Sequence, residues 1–252
     1  NKYVDEATKY TEEHFPDNPG GTDFIWPTNH QEARKWLDDF IEGRLDSYTD
    51  YDESIDSKAV WLYHSALSVS MNIGLLSSKD VVNAVLERHA KKSIKLSSLE
   101  TFIRQILGWR EFTRGQYLTK HVPMKKANVF GSKRQMTKDW YSGNLGIPPF
   151  DNMVKRIHEH GYVNNVERLM IAGNLMILSD INPNEIYKWY SQMFVDSYDW
   201  VTTPNIYNMC QLIDTGSKSV KAHISGSDYI LDVSNYDKGD WCDVWDKSIS
   251  RT

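Results

Sequence analysis

Thirteen bases stand against two acids between residues 88 and 138: Arg88, Lys91, Lys92, Lys95, Arg104, Arg110, Arg114, Lys120, Lys125, Lys126, Lys133, Arg134 and Lys138 oppose Glu100 and Glu111. Such a run can neutralise phosphates and is the electrostatic footprint of nucleic-acid binding. A solvated helical face, its lysines turned to water, fits the same residues. The rest of the chain is acidic: the formal net charge is −5, and residues 1–56 hold 15 acids and 5 bases. Aromatic side chains are the second chemical resource, with 9 Trp and 14 Tyr in 252 residues. They fill cores, and they also stack on flat ligands and pass electrons. Cysteine is scarce. Cys210 and Cys242 are the only two, which argues against a disulfide framework and suits a reducing compartment.

The elements that would position these groups are helical almost throughout. In HQEARKWLDDFIEGRL (30–45), Ala33, Trp36, Leu37, Phe40, Ile41 and Leu45 recur at spacings of three and four, one apolar stripe of a helix. SSKDVVNAVLERHAKK (77–92) opens on a serine cap, SSLETFIRQILGWREFTRGQYL (97–118) on Ser98, and DNMVKRIHEHG (151–161) on Asp151 with a stop at Gly161. NPNEIYKWYSQMF (182–194) has Asn182 as cap, Pro183 at the first helical position and Glu185 to close a capping box. Loops are expected at 17–23, at 143–151 and in the tail after about Asp214, where short helical pieces interrupt a Gly-, Ser- and Asp-rich stretch. No apolar run reaches the roughly 18 residues of a membrane helix, and the polar opening NKYVDEATKYTEEHF is no signal peptide. A chain that begins at Asn1 reads as a fragment of a longer product.

Four segments carry a resemblance. WLYHSALSVSMNIGLLSSKDVV (61–82), RQILGWREFTRGQY (104–117), WYSGNLGIPPFDNMVKRIHEHGYVNNVERLM (140–170) and FVDSYDWVTTPNIYNMCQLIDTG (194–216) resemble, in order and at matching spacing, motifs of the photolyase/cryptochrome family. GYVNNVERLMIAGNLMIL and YKWYSQMFVDSYDWVTTPN look most like the branch of iron–sulfur bacterial cryptochromes and (6-4) photolyases, and YVDEATKYTEEHFPDNPG like the linker after that branch's antenna domain. The resemblance implies an all-α fold, the helical FAD-binding domain of that family without its N-terminal α/β antenna domain. Residues 1–45 would be a lead-in with an amphipathic helix, and 46–252 the FAD- and DNA-binding body.

It also implies roles. FAD would meet Tyr48, His64, Ser65, Leu67, Ser68, Gln105, Arg110, Arg168, Asp196, Tyr198 and Thr202. Ser65 and Ser68 would offer donors to the diphosphate from a helix start, although helix capping uses serines in the same way. Arg168 and Asp196 match a pair beside the flavin; a buried guanidinium needs a carboxylate, and a plain structural salt bridge fits as well. Thr202 matches the residue facing flavin N5, where relatives carry Asn or Glu; a threonine hydroxyl donates a hydrogen bond but does not serve as an easily exchanged proton source. Trp109 would stack on a base flipped from the duplex, with Gln105 four residues earlier on the same face; the helix holds one residue more here than the common pattern. Trp140 matches a second aromatic of the lesion pocket. Trp189, Tyr190, Tyr141 and Tyr198 match an electron-transfer path, and core packing accounts for each of them equally.

Two departures sharpen the reading. Where (6-4) photolyases have a His-His pair, this chain has Asn164-Asn165. Asparagine cannot donate the proton that chemistry requires, whereas Asn165 matches an asparagine that hydrogen-bonds a cyclobutane dimer. At the cluster-cysteine positions stand Asp237, Asp240 and Pro149. Iron–sulfur clusters need thiolate or occasionally histidine ligands, so no cluster and no other metal is expected. The function implied is a FAD-dependent, blue-light-driven DNA photolyase, passing an electron from reduced flavin to a UV-induced pyrimidine dimer held through the 88–138 region. The alternatives are a cryptochrome-like flavin photoreceptor and a domain that binds nucleic acid without flavin. A cytoplasmic monomer with no membrane contact is expected; the antenna chromophore stays open.

Overall fold

The computed structural model describes residues 2–210 and 224–249, the side chains of residues 209 and 210 excepted. Cys210 as a side chain and the end of the last matched segment, 211–216, lie outside the described residues. The chain is helical: α1 (Lys2–His14), α2 (His30–Gly43), α3 (Tyr48–Tyr51), α4 (Ser68–Asn72), α5 (Ser78–Lys91), α6 (Leu96–Arg104), α7 (Arg110–Lys126), α8 (Lys138–Ser142), α9 (Pro148–His160), α10 (Asn174–Leu178), α11 (Pro183–Met193), α12 (Asp199–Pro204), α13 (Ser227–Val233) and α14 (Asp240–Ile249). Among the described residues β-pairing is limited to two isolated bridges, Ile55 with Ser234 and Arg134 with Ile181. Three π-helical segments, Gln105–Trp109, Glu167–Gly173 and Asn205–Cys210, extend α6 into α7, precede α10 and follow α12.

Local chemistry accounts for the boundaries. Asn29 Oδ1 accepts from Glu32 N–H at the start of α2, and Ser77 and Asp80 form a reciprocal capping box on α5. Asn182 caps α11 by accepting from Asn184 N–H, with Pro183 at the first helical position; the expected box with Glu185 is not formed, because the Asn182 N–H donates to the Arg134 carbonyl at 2.9 Å. Two expected caps are corrected. Helix α6 begins at Leu96, so Ser98 lies inside it, buried, donating to the Asp46 carbonyl at 2.9 Å. Helix α9 begins at Pro148, because the tandem Pro148-Pro149 is preset for a first turn that needs no N–H donors. Asp151 then reaches back from inside α9 and accepts from the N–H groups of Leu145, Gly146 and Ile147 at 2.9, 2.9 and 3.1 Å. Gly143 makes that approach sterically open: its φ is +68°, and an added Cβ would stand 2.9 Å from the Asp151 carbonyl oxygen.

Packing sorts the helices into two apolar cores. One gathers Ala33, Leu37, Phe40 and Ile41 of α2 with Leu67, Val81, Val85, Leu99, Phe102 and Ile106. The other centres on Trp189, Phe150, Met176 and Trp245. Each fully buried Leu or Phe contributes about 1.5–3 kcal/mol relative to exposure. A third, aromatic cluster holds Trp26 and Tyr162 with Trp36 and Trp61 against them. Helix α1 buries none of its side chains.

The second core encloses an ion pair. Arg156 of α9 is bidentate to Glu167, which is fully buried, and Arg156 also donates to the Ala59 carbonyl at 3.2 Å. Burial raises the Glu167 carboxyl above its ordinary value, and Arg156 opposes the shift. Glu167→Ala would leave a buried guanidinium without a counter-charge, and a loss of about 3–5 kcal/mol is expected in urea unfolding.

Candidate functional site

Between the two cores lies a cavity of about 740 Å³, within the range of small-molecule and cofactor sites. Tyr48, Leu67, Met71, Phe102 and Ile106 line it from the first core, and Tyr190, Val166, Leu169 and Ile206 from the second. All three π-helical segments contribute: Gln105, Ile106 and Trp109 from the first, Arg168, Leu169 and Met170 from the second, Asn205 and Ile206 from the third. A π turn disturbs the regular helical ladder and is frequent at functional sites. The loop before α4 is strained as well: Leu62 and Ala66 have φ of 45° and 52° and bracket His64 and Ser65, a cost tolerated where a site requires it.

One carboxylate organises the floor. Asp196 accepts from both terminal nitrogens of Arg168, at 2.8 and 3.2 Å, and from the Ser68 hydroxyl at 2.6 Å, while its carbonyl accepts from Asn72 Nδ2 at 3.1 Å. Arg168 further donates Nε–H to the Val163 carbonyl at 2.9 Å. Its guanidinium lies over the rings of Tyr162 and Phe194, at 4.8 and 4.2 Å. Burial works against the Arg168 charge, but Asp196 together with Tyr162 and Tyr190 outweighs it and holds the pKa above the usual arginine value. Burial also lifts the Tyr48 hydroxyl to about 12. Polar atoms on the wall have no protein partner among the described residues: His64 Nε2, Asn72 Oδ1 and Asn205 Oδ1 are buried without one. Buried polar atoms are normally satisfied, and a ligand with donors and acceptors fits this wall.

Of the expected cofactor contacts, Tyr48, His64, Ser65, Leu67, Ser68, Gln105, Arg110, Arg168, Asp196 and Thr202 all line this one cavity; Tyr198 does not, standing exposed at the start of α12. The Ser68 hydroxyl proton is committed to Asp196, so toward a diphosphate that side chain is an acceptor only. Among the expected catalytic residues, Trp109, Gln105 and Asn165 line the cavity, with Asn165 and Gln105 on its exposed side. Asn164 lies off the cavity: it is buried and accepts from Glu167 N–H at 2.9 Å, ahead of the helical turn that leads into the second π segment. Trp140 is packed edge-on to Phe150 at 5.1 Å in the second core, away from the cavity wall.

The expected electron path has mixed fates. Tyr190 lines the cavity and meets Trp189 edge-on at 5.1 Å. Trp189 is fully buried and donates to the Trp140 carbonyl at 3.1 Å. Tyr141 is half-buried and donates to Gln192 at 3.2 Å, on the far side of α11. Sequence reasoning missed Asn72, Tyr162, Trp200 and Asn205 on the wall. Trp200 was within reach, since it sits between Asp196 and Thr202 in a segment already singled out.

In the basic stretch, Arg88, Lys95, Arg104, Arg114 and Lys125 are tied to Glu42, Asp50, Glu100, Glu111 and Asp199. Asp237 and Asp240 stand at the entry to α14, where the Asp237 carbonyl accepts from Trp241, and Pro149 is buried in the first turn of α9. Among the described residues no helix is long and apolar enough to cross a membrane.

No protein-family model matches the chain. It is similar to a (6-4) photolyase of Agrobacterium fabrum (strain C58 / ATCC 33970), 30% identical over 236 residues that cover 93% of this chain and 46% of that protein. Its fold is that of a bacterial class III photolyase from Agrobacterium tumefaciens, with a TM-score of 0.65 and 21% identity over 83% of this chain and 45% of that one. A cryptochrome of Synechocystis sp. PCC6803 matches over the same shares, with a TM-score of 0.64 and 18% identity. The chain spans about half the length of these relatives.

His64 gives the cavity a pH signature. Burial, with the nearby Arg44 charge adding to it, lowers its pKa from 6.5 to about 4. The unfolded chain therefore takes up the proton first as pH falls, and stability present above 6.5 is lost on the way down to about 4. His64→Leu should flatten this loss, which is on the order of 3 kcal/mol at most, when urea unfolding is followed across that interval.

Proposed function

The chain belongs to the photolyase/cryptochrome family, and from that premise we propose that the cavity binds FAD and that the whole acts as a blue-light-driven DNA photolyase on cyclobutane pyrimidine dimers. The observation that carries this reading is the convergence of ten separately placed side chains, from Tyr48 to Thr202, on one cavity between the two cores. When bound, reduced FAD would supply the photo-excited electron. The chain's own residues do the rest. Arg110 faces the cavity with a positive charge for the diphosphate. Arg168 and Asp196 fix the polar floor against which a heteroaromatic ring packs. Thr202, buried in the wall, offers a hydroxyl. On the open side, Trp109 presents a stacking face and Asn165 an amide to a flipped base, and the basic region of residues 88–138 meets the backbone phosphates.

The same reading includes no iron–sulfur cluster, because two carboxylates and a proline supply no thiolate at the matching positions. It also takes the protein to be a cytoplasmic monomer. A second reading, a cryptochrome-like photoreceptor with little repair, is favoured by one observation. Asn164 and Trp140, both expected at the lesion, are turned to structural tasks.

Purified chain reconstituted with FAD is expected to show a bound-flavin absorption spectrum; none after reconstitution would end both readings. Light-dependent restoration of an oligonucleotide carrying a cyclobutane dimer, but not of one carrying a (6-4) product, separates repair from sensing. Asn165→Ala should lower that repair by on the order of tenfold or more, as expected for one lost hydrogen bond, without releasing flavin. About one cluster's worth of iron per chain would overturn the metal assignment.

A further inference from the structure

Arg110 occupies a different electrostatic position from Arg156 and Arg168. Arg156 and Arg168 each have a bidentate carboxylate. Arg110, the first residue of α7, is partly buried in the cavity wall, and no carboxylate among the described residues pairs with it. The adjacent Glu111 accepts instead from Arg114 at 3.2 Å. Burial lowers the Arg110 pKa, with Glu111 opposing only through space. What Arg110 touches is an indole: its guanidinium carbon lies 4.9 Å from the ring centroid of Trp200, which lines the same cavity.

That contact has a specific consequence. An aromatic face offers no conventional acceptor, so the edge of the guanidinium turned away from the ring keeps its N–H donors. The ring attracts the cation without neutralising its charge. Trp200 itself is held firmly, because the next residue back is a four-way anchor. Asp199 accepts from the hydroxyls of Tyr117, Tyr187 and Thr203 at 2.8, 2.5 and 2.8 Å and pairs with Lys125 at 2.7 Å. These bonds bind the start of α12 to α7 and α11 and fix where the indole stands.

We propose that Trp200 is the positioning residue for Arg110, holding the guanidinium against the indole so that its free donor edge serves a phosphate group of the dinucleotide. The inference rests on the flavin reading and adds to it a residue that acts through another. Trp200 contributes orientation, Arg110 contributes charge, and the diphosphate they serve is, with the adenosine, what FAD carries and riboflavin lacks.

The test uses the full 252-residue chain and two probes, FAD and riboflavin, whose dissociation constants are measured in the dark by flavin fluorescence. Trp200→Leu should weaken FAD binding about tenfold, the size of a desolvated cation–π contact, and leave riboflavin within about twofold of the parent protein. Trp200→Phe, which keeps an aromatic face, should recover most of the loss. In an Arg110→Ala background the Trp200→Leu effect on FAD should vanish, since the residue through which it acts is gone. Equal losses for both flavins, or an undiminished loss without Arg110, would make Trp200 a plain wall of the cavity and overturn the proposal. Riboflavin binding by the variant also reports that it has folded. A parent chain that binds neither flavin overturns the flavin reading and this inference together, and it does so before any variant is made.

Discussion

The cavity depends on Asp196. Two helical cores face each other across a space of cofactor size, and hydrophobic attraction alone would close such a space. Asp196 sets the separation by bonding to the Ser68 side, which belongs to the first core, and to Arg168, which belongs to the second. A carboxylate with three charge-assisted or hydroxyl bonds is directional as well as strong, so it fixes angle along with distance. Removing one partner of a buried pair costs far more than the pair's net contribution, because the other charge is left unpaired. The arrangement is therefore better understood as a geometric specification than as a source of stability.

A second buried pair, Arg156 with Glu167, sits one residue from Arg168 in the same π segment. The two pairs divide the work. Glu167 points inward and anchors the segment to α9, while Arg168 points to the cavity and anchors it to Asp196. Adjacent residues of a helix diverge by about 100°, which is why one short segment can serve both sides. Asn164 supports the arrangement by accepting from Glu167 N–H, and this explains in physical terms why an amide stands there buried.

Much of this was legible in the sequence. The amphipathic stripe of α2, the capping box at Ser77 and Asp80 and the Asn-Pro start of α11 follow from local rules of spacing and satisfaction, and those rules act within a few residues. The cavity-lining set was legible through ordered motifs, since each motif brings its own short segment. The less legible positions share a cause. Ser98, Asp151, Asn164 and Trp140 carry residue types whose local meaning was clear, but their partners are remote or fall at an unexpected offset. Ser98 bonds to Asp46, Asp151 bonds backward out of its own helix, and Trp140 is absorbed by Phe150 and Trp189. Trp200 was overlooked because nothing local marks a tryptophan as the partner of an arginine ninety residues earlier.

The first π segment has a further consequence. Helices α6 and α7 form one unbroken rod from Leu96 to Lys126, with Gln105–Trp109 as its joint. A π turn takes up one residue more than an α turn, so each residue beyond it stands where its predecessor would stand in an uninterrupted α-helix. The first half of the rod turns Phe102 into one core, and its second half brings Arg110 onto the cavity and leaves Leu118 and Val122 facing out. Deleting a single residue from the joint would let it close into an ordinary α turn and leave the downstream side chains aimed where they are, so the joint is where the rod absorbs a residue without turning.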